Sequence, residues 1–406
     1  MINFSHIKST YLLLVLFLNF QLISCAQNPK KPIKNKITIT NFLQVGAAQT
    51  NAYLKFLKGR NVAVVANQTS VINKSNLGVT HLIDSLLLLN INVKKVFAPE
   101  HGFRGKADAA EIVKDGFDTK TVLQIVSLYG KNKKPTKEQL AGIDIVVFDI
   151  QDVGVRFYTY ISTLHYVMEA CAEAGIKIII LDRPNPNAHY IDGPVLELAH
   201  KSFVGMHAVP VVYGMTIGEY GQMINGEKWL KNKIAANLKV IPLKNYTHDS
   251  IYHLPIRPSP NLPNDLSINL YPSLGFFEGT IINAGRGTEF QFQRYGAPFF
   301  SETTFNYTPV ANFGAKYPKH KNQRCYGVDL SNTKRLSTIH LDWLIDAYQK
   351  TPKSEKFFGN TFTIHAGNTK LQQQIERGFT AEEIKKTWQK DLKSFKKIRK
   401  KYLIYK

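Results

Sequence analysis

Short apolar runs alternate with helix-like patterns between about residue 41 and residue 245. The runs, in chain order, are NVAVVANQ, VKKVFAPE, TVLQIVSLYG, IDIVVFDI, IKIIILDR, VPVVYG and LKVIPL. Segments with helical spacing of apolar residues separate several of them, as in HLIDSLLLLN, HYVMEACAEAG and TIGEYGQMINGEKWL. Continuous apolar runs are typical of strands buried on both faces, and their alternation with helices is typical of a parallel sheet. We therefore predict an α/β fold whose first domain, residues 41–245, is a Rossmann-like, mostly parallel sheet.

The pattern changes at about residue 246. Proline-rich loops come first, in HLPIRPSPNLPNDLSINLYPSLGFFEGT, and shorter mixed segments follow. Near the end, Trp388, Leu392, Phe395 and Ile398 recur at helical spacing among lysines, which predicts an amphipathic helix. Residues 246–406 are therefore predicted to form a smaller mixed α/β domain, with the active-site cleft between the two domains.

The amino terminus has the layout of an export signal. Lys8 precedes an apolar stretch that is too short for a permanent membrane span, and the stretch ends in LISC. LISC resembles a bacterial lipobox, in which cleavage leaves a lipid-modified Cys25 as the new amino terminus. We expect a signal peptide in residues 1–24 and a polar tether in residues 25–40. The mature protein would then be exported and membrane-anchored, facing the periplasm or cell envelope.

Composition narrows the possible partners. With 44% hydrophobic and 20% charged residues, the chain of 406 residues is globular. The formal charge of +22 would suit nucleic acid, but much of the excess lies in the tether and the terminal helix, and no nucleic-acid-binding motif accompanies it. For an exported protein, the acidic partners are phospholipid headgroups and cell-wall polymers. Cys171 and Cys325 could pair, although a buried free thiol is the preferred interpretation for Cys171.

Several catalytic classes lack their motifs. The first apolar run continues into ANQTSVINKSN rather than G-x-G-x-x-G, and the chain contains no P-loop, G-x-S-x-G or H-E-x-x-H sequence. We therefore expect no nucleotide, no other cofactor and no metal.

Polar side chains instead follow three of the apolar runs. In open α/β sheets, ligands bind outside the carboxyl ends of the strands, so these side chains are candidates for a site. Each acid alone could equally cap a helix or close a turn, but three such groups together favour a site. The candidates at strand ends are Glu100, His101, Arg104, Asp149, Asp152, Arg156, Tyr158, Asp182, Arg183 and Asn185, and those in the later loops are Glu278, Arg286 and Glu289.

Carboxylates with tyrosines, arginines and asparagines suit sugar chemistry. Glycoside hydrolysis needs a protonated acid to assist the leaving oxygen, and usually a second group at the oxocarbenium centre. Glu100 is our first choice as the general acid, and Asp149, Asp152 or Glu278 would take the opposing role. The arginines outnumber what a neutral sugar needs, and a two-pronged arginine contact would hold a substrate that carries a carboxylate. The alternative is that some of them pair with the site acids themselves.

A dozen strings also resemble, in order, one known family. They include VANQTSV, FAPEHGFRG, VVFDIQDVGVRFYTYIST, LDRPNPN, RPSPNLPN, LYPSLGFFEGT and GRGTEFQFQ. The family is that of the exo-acting β-N-acetylmuramidases of bacterial cell-wall recycling, long listed only as a domain of unknown function. The resemblance implies release of terminal N-acetylmuramic acid from the non-reducing end of peptidoglycan fragments. One departure is AHYIDGPV, where a glycine-rich turn would be expected and Ala188 and His189 stand instead.

Alternatives remain open at this point. The same cleft could belong to a non-catalytic lipoprotein that only binds cell-wall sugars, and an amidase or esterase is a weaker third reading. Retention, inversion and a substrate-assisted route are all compatible with the residues.

Overall fold

The computed structural model describes residues 42–73, 78–104, 115–302 and 304–406. Residues 42–406 pack as one compact unit, whose largest element is a seven-stranded sheet with the order β5-β6-β4-β1-β7-β8-β9. The strands of this sheet are β1 Val62–Ala66, β4 Val93–Ala98, β5 Gly116–Phe117, β6 Gln124–Ser127, β7 Ile145–Asp149, β8 Lys177–Leu181 and β9 Leu238–Ile241. A small hairpin, β2 Val71–Asn73 and β3 Val79–His81, stands beside it.

The central strands form because their sequences are apolar throughout. All five residues of β1, VAVVA, are buried, and so are all five of β7, IVVFD. β1 pairs in parallel with β4 on one side and with β7 on the other, so that Val64 lies opposite Val96 and Val147. Only the short edge strand β5 runs antiparallel to its neighbour. The predicted α/β class with a mostly parallel, Rossmann-like sheet is confirmed.

The strand order determines where a ligand would bind. From β1 the chain moves outward through β4 to β6, and then returns to place β7 on the other side of β1, followed by β8 and β9. This is the doubly wound 3-2-1-4-5-6 order, whose direction reverses between β1 and β7. The crevice at the carboxyl ends of those two strands is the usual ligand site of such a sheet.

Helices cover both faces of the sheet. Successive residues of β1 point to opposite faces, so Ala63 and Val65 belong to one apolar core and Val62 and Val64 to the other. The helices of this part are α1 Thr50–Leu57, α2 Leu82–Leu88, α3 Lys137–Leu140, α4 Tyr160–Glu173 and α5 Ile217–Gly226, with 3-10 turns at Gly46–Ala48, Leu198–His200 and Lys231–Lys233.

The carboxyl-terminal part is smaller and mixed. A three-stranded antiparallel sheet with the order β10-β12-β11 contains β10 Arg294–Ala297, β11 Asn306–Tyr307 and β12 Cys325–Asp329. Around it lie α6 Asp265–Leu274, the 3-10 turn Gly275–Gly279, α7 Asp342–Lys350, α8 Phe362–Ala366, α9 Lys370–Glu376 and α10 Ala381–Lys400. The side chains of Ile384 and Trp388 share one core with Phe148 of β7.

The predicted terminal helix is confirmed as α10. Its first turn is stabilised by a capping box, in which Thr380 and Glu383 exchange hydrogen bonds between side chain and backbone. Trp388, Leu392 and Phe395 are buried, while the lysines between them are exposed.

The prediction of a strand at VPVVYG is wrong. Residues 209–214 form only isolated bridges, in which Val212 faces Val155 and Asp192. The segment is apolar because it is buried beneath the loops, and burial alone does not distinguish a strand from an irregular segment.

Several other expectations have different outcomes. Cys171 and Cys325 are both buried free thiols. The signal peptide, Cys25 and the tether lie outside the described residues, and the domain boundary at residue 245 stays a prediction. In the part of the chain that the structure describes, no helix is long and apolar enough to cross a membrane.

Candidate active site

The carboxyl edge of the sheet brings polar side chains together. Asn67 directly follows β1, Glu100 follows β4 by two residues, and Tyr129 follows β6 by two. On the other side of β1, Asp149 ends β7 and Asp152 lies three residues further on. These positions surround the point where the strand order reverses.

Glu100 stands on a tight turn after β4. Gly102 donates its backbone N–H to the carbonyl of Pro99 at 3.0 Å. His101 and Gly102 both have positive φ angles, 70° and 75°, and the second is easily reached because glycine has no Cβ. His101 itself is buried. The turn therefore presents Glu100 at the sheet edge while its neighbour is held inside.

Hydroxyl groups hold the Glu100 carboxylate. Thr159 donates from Oγ1 to Oε2 at 2.8 Å, and the hydroxyl of Tyr129 also hydrogen-bonds this carboxylate. Burial and the negative charge of Glu100 together raise the pKa of Tyr129. Burial, and after it the negative charge of Glu100, also raise the pKa of Tyr160. Both phenols therefore stay protonated at neutral pH and can donate hydrogen bonds.

Tyrosine side chains form one wall beside Glu100. Tyr158 and Tyr160 meet edge to face with ring centroids 4.8 Å apart. Their hydroxyls donate to the carbonyl of Pro258 at 2.7 and 3.4 Å, and Asn67 donates from Nδ2 to the Tyr160 hydroxyl at 2.9 Å. The RPSPNLPN loop is thereby fixed across the carboxyl edge of β1.

A second carboxylate comes from the carboxyl-terminal part. Glu278 lies in the 3-10 turn after α6 and forms an ion pair with Arg286, whose Nη1 is 2.9 Å from Oε2. Burial would raise the pKa of Glu278, but the charges of Arg286, Lys319 and His365 outweigh it and leave the pKa lowered. Lys319 also holds the turn itself, because its Nζ donates to the carbonyls of Phe277 at 2.6 Å and Glu278 at 3.2 Å.

Tyr271 of α6 shows that these acids share one region. Burial raises its pKa, and the charges of Glu278, Glu100 and Asp152 act in the same direction. Its ring also contacts Tyr158 edge to face at 6.2 Å. Three of the four predicted catalytic acids therefore act on a single tyrosine of α6.

Asp152 is the most deeply buried of the three. Its Oδ2 accepts hydrogen bonds from the hydroxyl of Tyr213 and from the backbone N–H of Gly154. Burial raises its pKa to about 7, although these two hydrogen bonds work against the shift. Asp152 can therefore hold or release a proton near neutral pH.

Asp149, the fourth predicted catalytic acid, is held in an ion pair. The guanidinium of Arg183 binds it in a two-pronged contact of 2.6 and 2.9 Å, and both side chains are fully buried. Arg183 also donates to the carbonyl of Val71 at 3.0 Å. This geometry favours a structural role that ties β7, β8 and the β2 segment together.

Several predicted binding residues have partners inside the protein. Arg156 donates to four backbone carbonyls, Asp182 is bound by Thr216, Gly218 and Tyr405, and Asn185 donates to Met215 at 2.8 Å. Arg104 forms a two-pronged contact with Asp118 at 3.0 and 2.7 Å. Glu289 is exposed on the loop that follows Arg286. The structure thus brings Glu100, Asp152, Glu278, Tyr158 and Arg286 to one region.

Sequence reasoning missed several residues of this region. Asn67 and Tyr129 follow apolar runs just as Glu100 does, so the rule that located Glu100 would also have found them. Thr159 lies in VVFDIQDVGVRFYTYIST, the string that also contains the predicted Asp149, Asp152 and Tyr158. Lys319 and Tyr271 had no comparable signal, because only the folded chain brings them to the acids.

A doubly wound sheet with carboxylates, tyrosines and an asparagine gathered at its switch point is typical of an α/β enzyme. Comparison with known proteins identifies the family that this chain matches. The family "Exo-beta-N-acetylmuramidase NamZ" matches with its N-terminal domain over residues 62–266 and with its C-terminal domain over residues 269–405.

Individual relatives cover most of the chain. The chain is 39% identical over 382 residues to the peptidoglycan β-N-acetylmuramidase NamZ of Bacillus subtilis (strain 168). The match covers 87% of this chain and 89% of the relative. Crystal structures of two DUF1343 family proteins from Bacteroides fragilis NCTC 9343 are also similar. One has a TM-score of 0.82 at 44% identity and the other 0.77 at 28%, each covering 90% of this chain and 99% of its own. The chain belongs to the NamZ family of exo-β-N-acetylmuramidases, which are glycoside hydrolases.

Proposed function

We propose that the protein is an exo-β-N-acetylmuramidase that releases terminal N-acetylmuramic acid from the non-reducing end of peptidoglycan fragments. The observation that carries this proposal is the grouping of Glu100, Asp152 and Glu278 around Tyr271, in a chain that belongs to an exo-β-N-acetylmuramidase family. Carboxylates at a switch point supply the acid and base that glycosidic cleavage needs.

Glu100 is the general acid of this proposal. Hydroxyl groups of Thr159 and Tyr129 hydrogen-bond its carboxylate and hold it at the sheet edge. Its side chain is only partly buried, which leaves it accessible to the leaving oxygen of a sugar. Asp149 is not accessible in this way, since it is fully buried against Arg183.

Glu278 is the opposing carboxylate. Arg286 and Lys319 lower its pKa, so it is ionised at neutral pH. Its side chain is 26% exposed and therefore accessible from solvent. Both retaining and inverting glycosidases pair an ionised carboxylate with a general acid, and Glu278 takes the ionised role here. In this proposal, Asp152, which accepts a hydrogen bond from the Tyr213 hydroxyl, adjusts the charge balance between them.

The test is hydrolysis of the disaccharide in which N-acetylmuramic acid is β-linked to N-acetylglucosamine. Free N-acetylmuramic acid, detected by mass spectrometry, is the expected product. Glu100→Gln should keep the fold and lose about 10²- to 10⁴-fold in turnover, because the amide cannot donate a proton to the leaving oxygen. Glu382→Gln, at an exposed position on α10, is the matched control. Near wild-type turnover of the Glu100 variant would remove it from the catalytic role.

A non-catalytic binding lipoprotein is the alternative, and membership of a glycoside hydrolase family does not favour it. The same assay separates the two readings. Disaccharide that binds and stays intact across pH would favour the binding protein.

We also propose that the protein is exported and anchored to a membrane through lipid on Cys25. The basis is the LISC string after a short apolar stretch and the polar, lysine-containing sequence that follows it. Mass spectrometry of the protein from its native membrane should show a diacylglyceryl group that Cys25→Ala removes. Equal masses for both proteins, apart from the substitution, would refute the anchor.

A further inference from the structure

A terminal N-acetylmuramic acid differs from N-acetylglucosamine by its lactyl ether, which ends in a carboxylate. An enzyme that selects this sugar needs a cation for that group. The sequence offered four arginines, but the structure gives each of them an internal partner. Arg104 binds Asp118, Arg156 binds backbone carbonyls, Arg183 binds Asp149, and Arg286 binds Glu278 and the carbonyl of Gly314.

Arg257 remains, at the start of the RPSPNLPN loop. Its side chain is exposed and has no ion-pair or hydrogen-bond partner among the described residues. Its backbone, in contrast, is fixed. The carbonyl of Arg257 accepts a hydrogen bond from Nε2 of Gln68 at 3.3 Å, and the carbonyl of the next residue, Pro258, accepts from the same nitrogen at 3.1 Å.

This anchored backbone borders the catalytic region. The Pro258 carbonyl also accepts from the hydroxyls of Tyr158 and Tyr160, and the Tyr160 phenol lies in the field of Glu100. A proline at residue 258 further restricts the backbone of Arg257 to extended conformations. The backbone of Arg257 is therefore fixed next to the site, while its guanidinium is free. This arrangement suits two-pronged binding of a carboxylate.

We propose that Arg257 binds the lactyl carboxylate of the terminal muramic acid and thereby selects this sugar. The inference rests on the proposed function, because it assigns a specificity role within the same reaction. The carboxylate and the scissile bond belong to one sugar ring, so a residue that binds the former must lie beside the residues that act on the latter. Arg257 meets that condition through its neighbour Pro258.

The experiment compares two substrates, the muramic acid–N-acetylglucosamine disaccharide and its lactyl methyl ester, which lacks the negative charge. For the wild-type protein, kcat/KM for the free acid should exceed that for the ester by about 10- to 100-fold, the range for a hydrogen bond to a charged group. Arg257→Ala should lower kcat/KM for the free acid to the level of the ester and leave the ester unchanged. Arg257→Lys should retain part of the preference.

Arg60→Ala is the matched control, because Arg60 is an exposed arginine just before β1, at the opposite end of that strand from the site. It should behave as wild type. If Arg257→Ala keeps the wild-type preference, or loses both substrates equally, the assignment of Arg257 is wrong. Equal hydrolysis of acid and ester by the wild-type protein would also overturn it. If the wild-type protein hydrolyses neither substrate, it is the proposed function that fails.

Discussion

Asp152 combines burial with incomplete hydrogen bonding. Its Oδ2 accepts two hydrogen bonds, from Tyr213 and Gly154, whereas Oδ1 is buried and has no hydrogen-bond partner among the described residues. An ionised carboxylate in such surroundings is costly, so the folded protein retains the proton up to a pKa of about 7. The unfolded chain releases it near the ordinary value of 3.8.

This difference makes a prediction for the pH dependence of stability. Between about pH 4 and pH 7, the unfolded state ionises Asp152 while the folded state does not, so rising pH favours unfolding by as much as about 1.4 kcal/mol per pH unit. Asp152→Asn cannot ionise and escapes this penalty. The free energy of unfolding of the variant minus that of the wild type should therefore increase from pH 5 to pH 7. Urea unfolding at both pH values measures it.

A difference that stays constant or decreases over this pH range would show that Asp152 is ionised in the folded protein. Glu278→Gln serves as the contrasting variant, because the pKa of Glu278 is lowered and its stabilising effect is lost at acid pH instead. The free energy of unfolding of Glu278→Gln minus that of the wild type should not increase from pH 5 to pH 7. The two variants together test whether the site contains one protonated and one ionised acid.

At the scale of elements, apolar runs predicted the strands well and their ends predicted the acids. Glu100, Asp149 and Asp152 all lie where the carboxyl ends of parallel strands were expected. The open alternative that some arginines pair with the site acids is confirmed by Arg183 with Asp149 and Arg286 with Glu278. The partners of Arg156 could not be predicted, because they come from distant parts of the chain. The carbonyls that bind Arg156 belong to Pro194, Val209, His365 and Ala366, which only the complete fold assembles.

Arg156 connects the two parts of the molecule. Its Nη1 donates to Pro194 and Val209 in the sheet part at 2.6 and 3.0 Å, and its Nη2 donates to the end of α8 at 2.8 Å for each carbonyl. Gly367, with φ of 78°, ends that helix, and a Cβ there would lie 2.7 Å from Nη2. Burial lowers the pKa of Arg156 to about 9, but the side chain stays charged at neutral pH.

We therefore predict that Arg156→Lys affects stability more than substrate binding. A lysine cannot reach four carbonyls in this fork arrangement, and each carbonyl left unsatisfied costs about 1–3 kcal/mol, so a loss of about 3 kcal/mol or more is expected. Urea unfolding and the KM for the disaccharide measure the two effects. Arg60→Lys, at an exposed arginine, should change stability by less than about 0.5 kcal/mol. An unchanged unfolding midpoint with a raised KM would return Arg156 to substrate binding.

At the scale of the whole molecule, the formal charge of +22 is unevenly distributed. α10 buries Trp388, Leu392 and Phe395 and directs Lys393, Lys396, Lys397 and Lys400 into solvent. Because α10 packs into the same core as the sheet, these lysines form a fixed basic surface rather than a flexible tail. A fixed basic surface attracts anionic surfaces over roughly the Debye length, about 10 Å at 0.1 M salt and 3 Å at 1 M.

The protein should therefore bind vesicles that contain anionic phospholipid even when Cys25→Ala removes the expected lipid anchor. Each lysine near such a surface contributes about 1 kcal/mol, so replacing the four α10 lysines by glutamine should weaken binding strongly, and so should 1 M salt. Replacing Lys58, Lys94, Lys321 and Lys353 instead, which are exposed at scattered positions, removes the same charge without touching the helix. Vesicle co-sedimentation of the Cys25→Ala protein and of the two quadruple lysine variants distinguishes binding through the α10 surface from binding through net charge. Equal losses in both quadruple variants would attribute binding to net charge alone, and binding that is insensitive to salt would exclude an electrostatic origin.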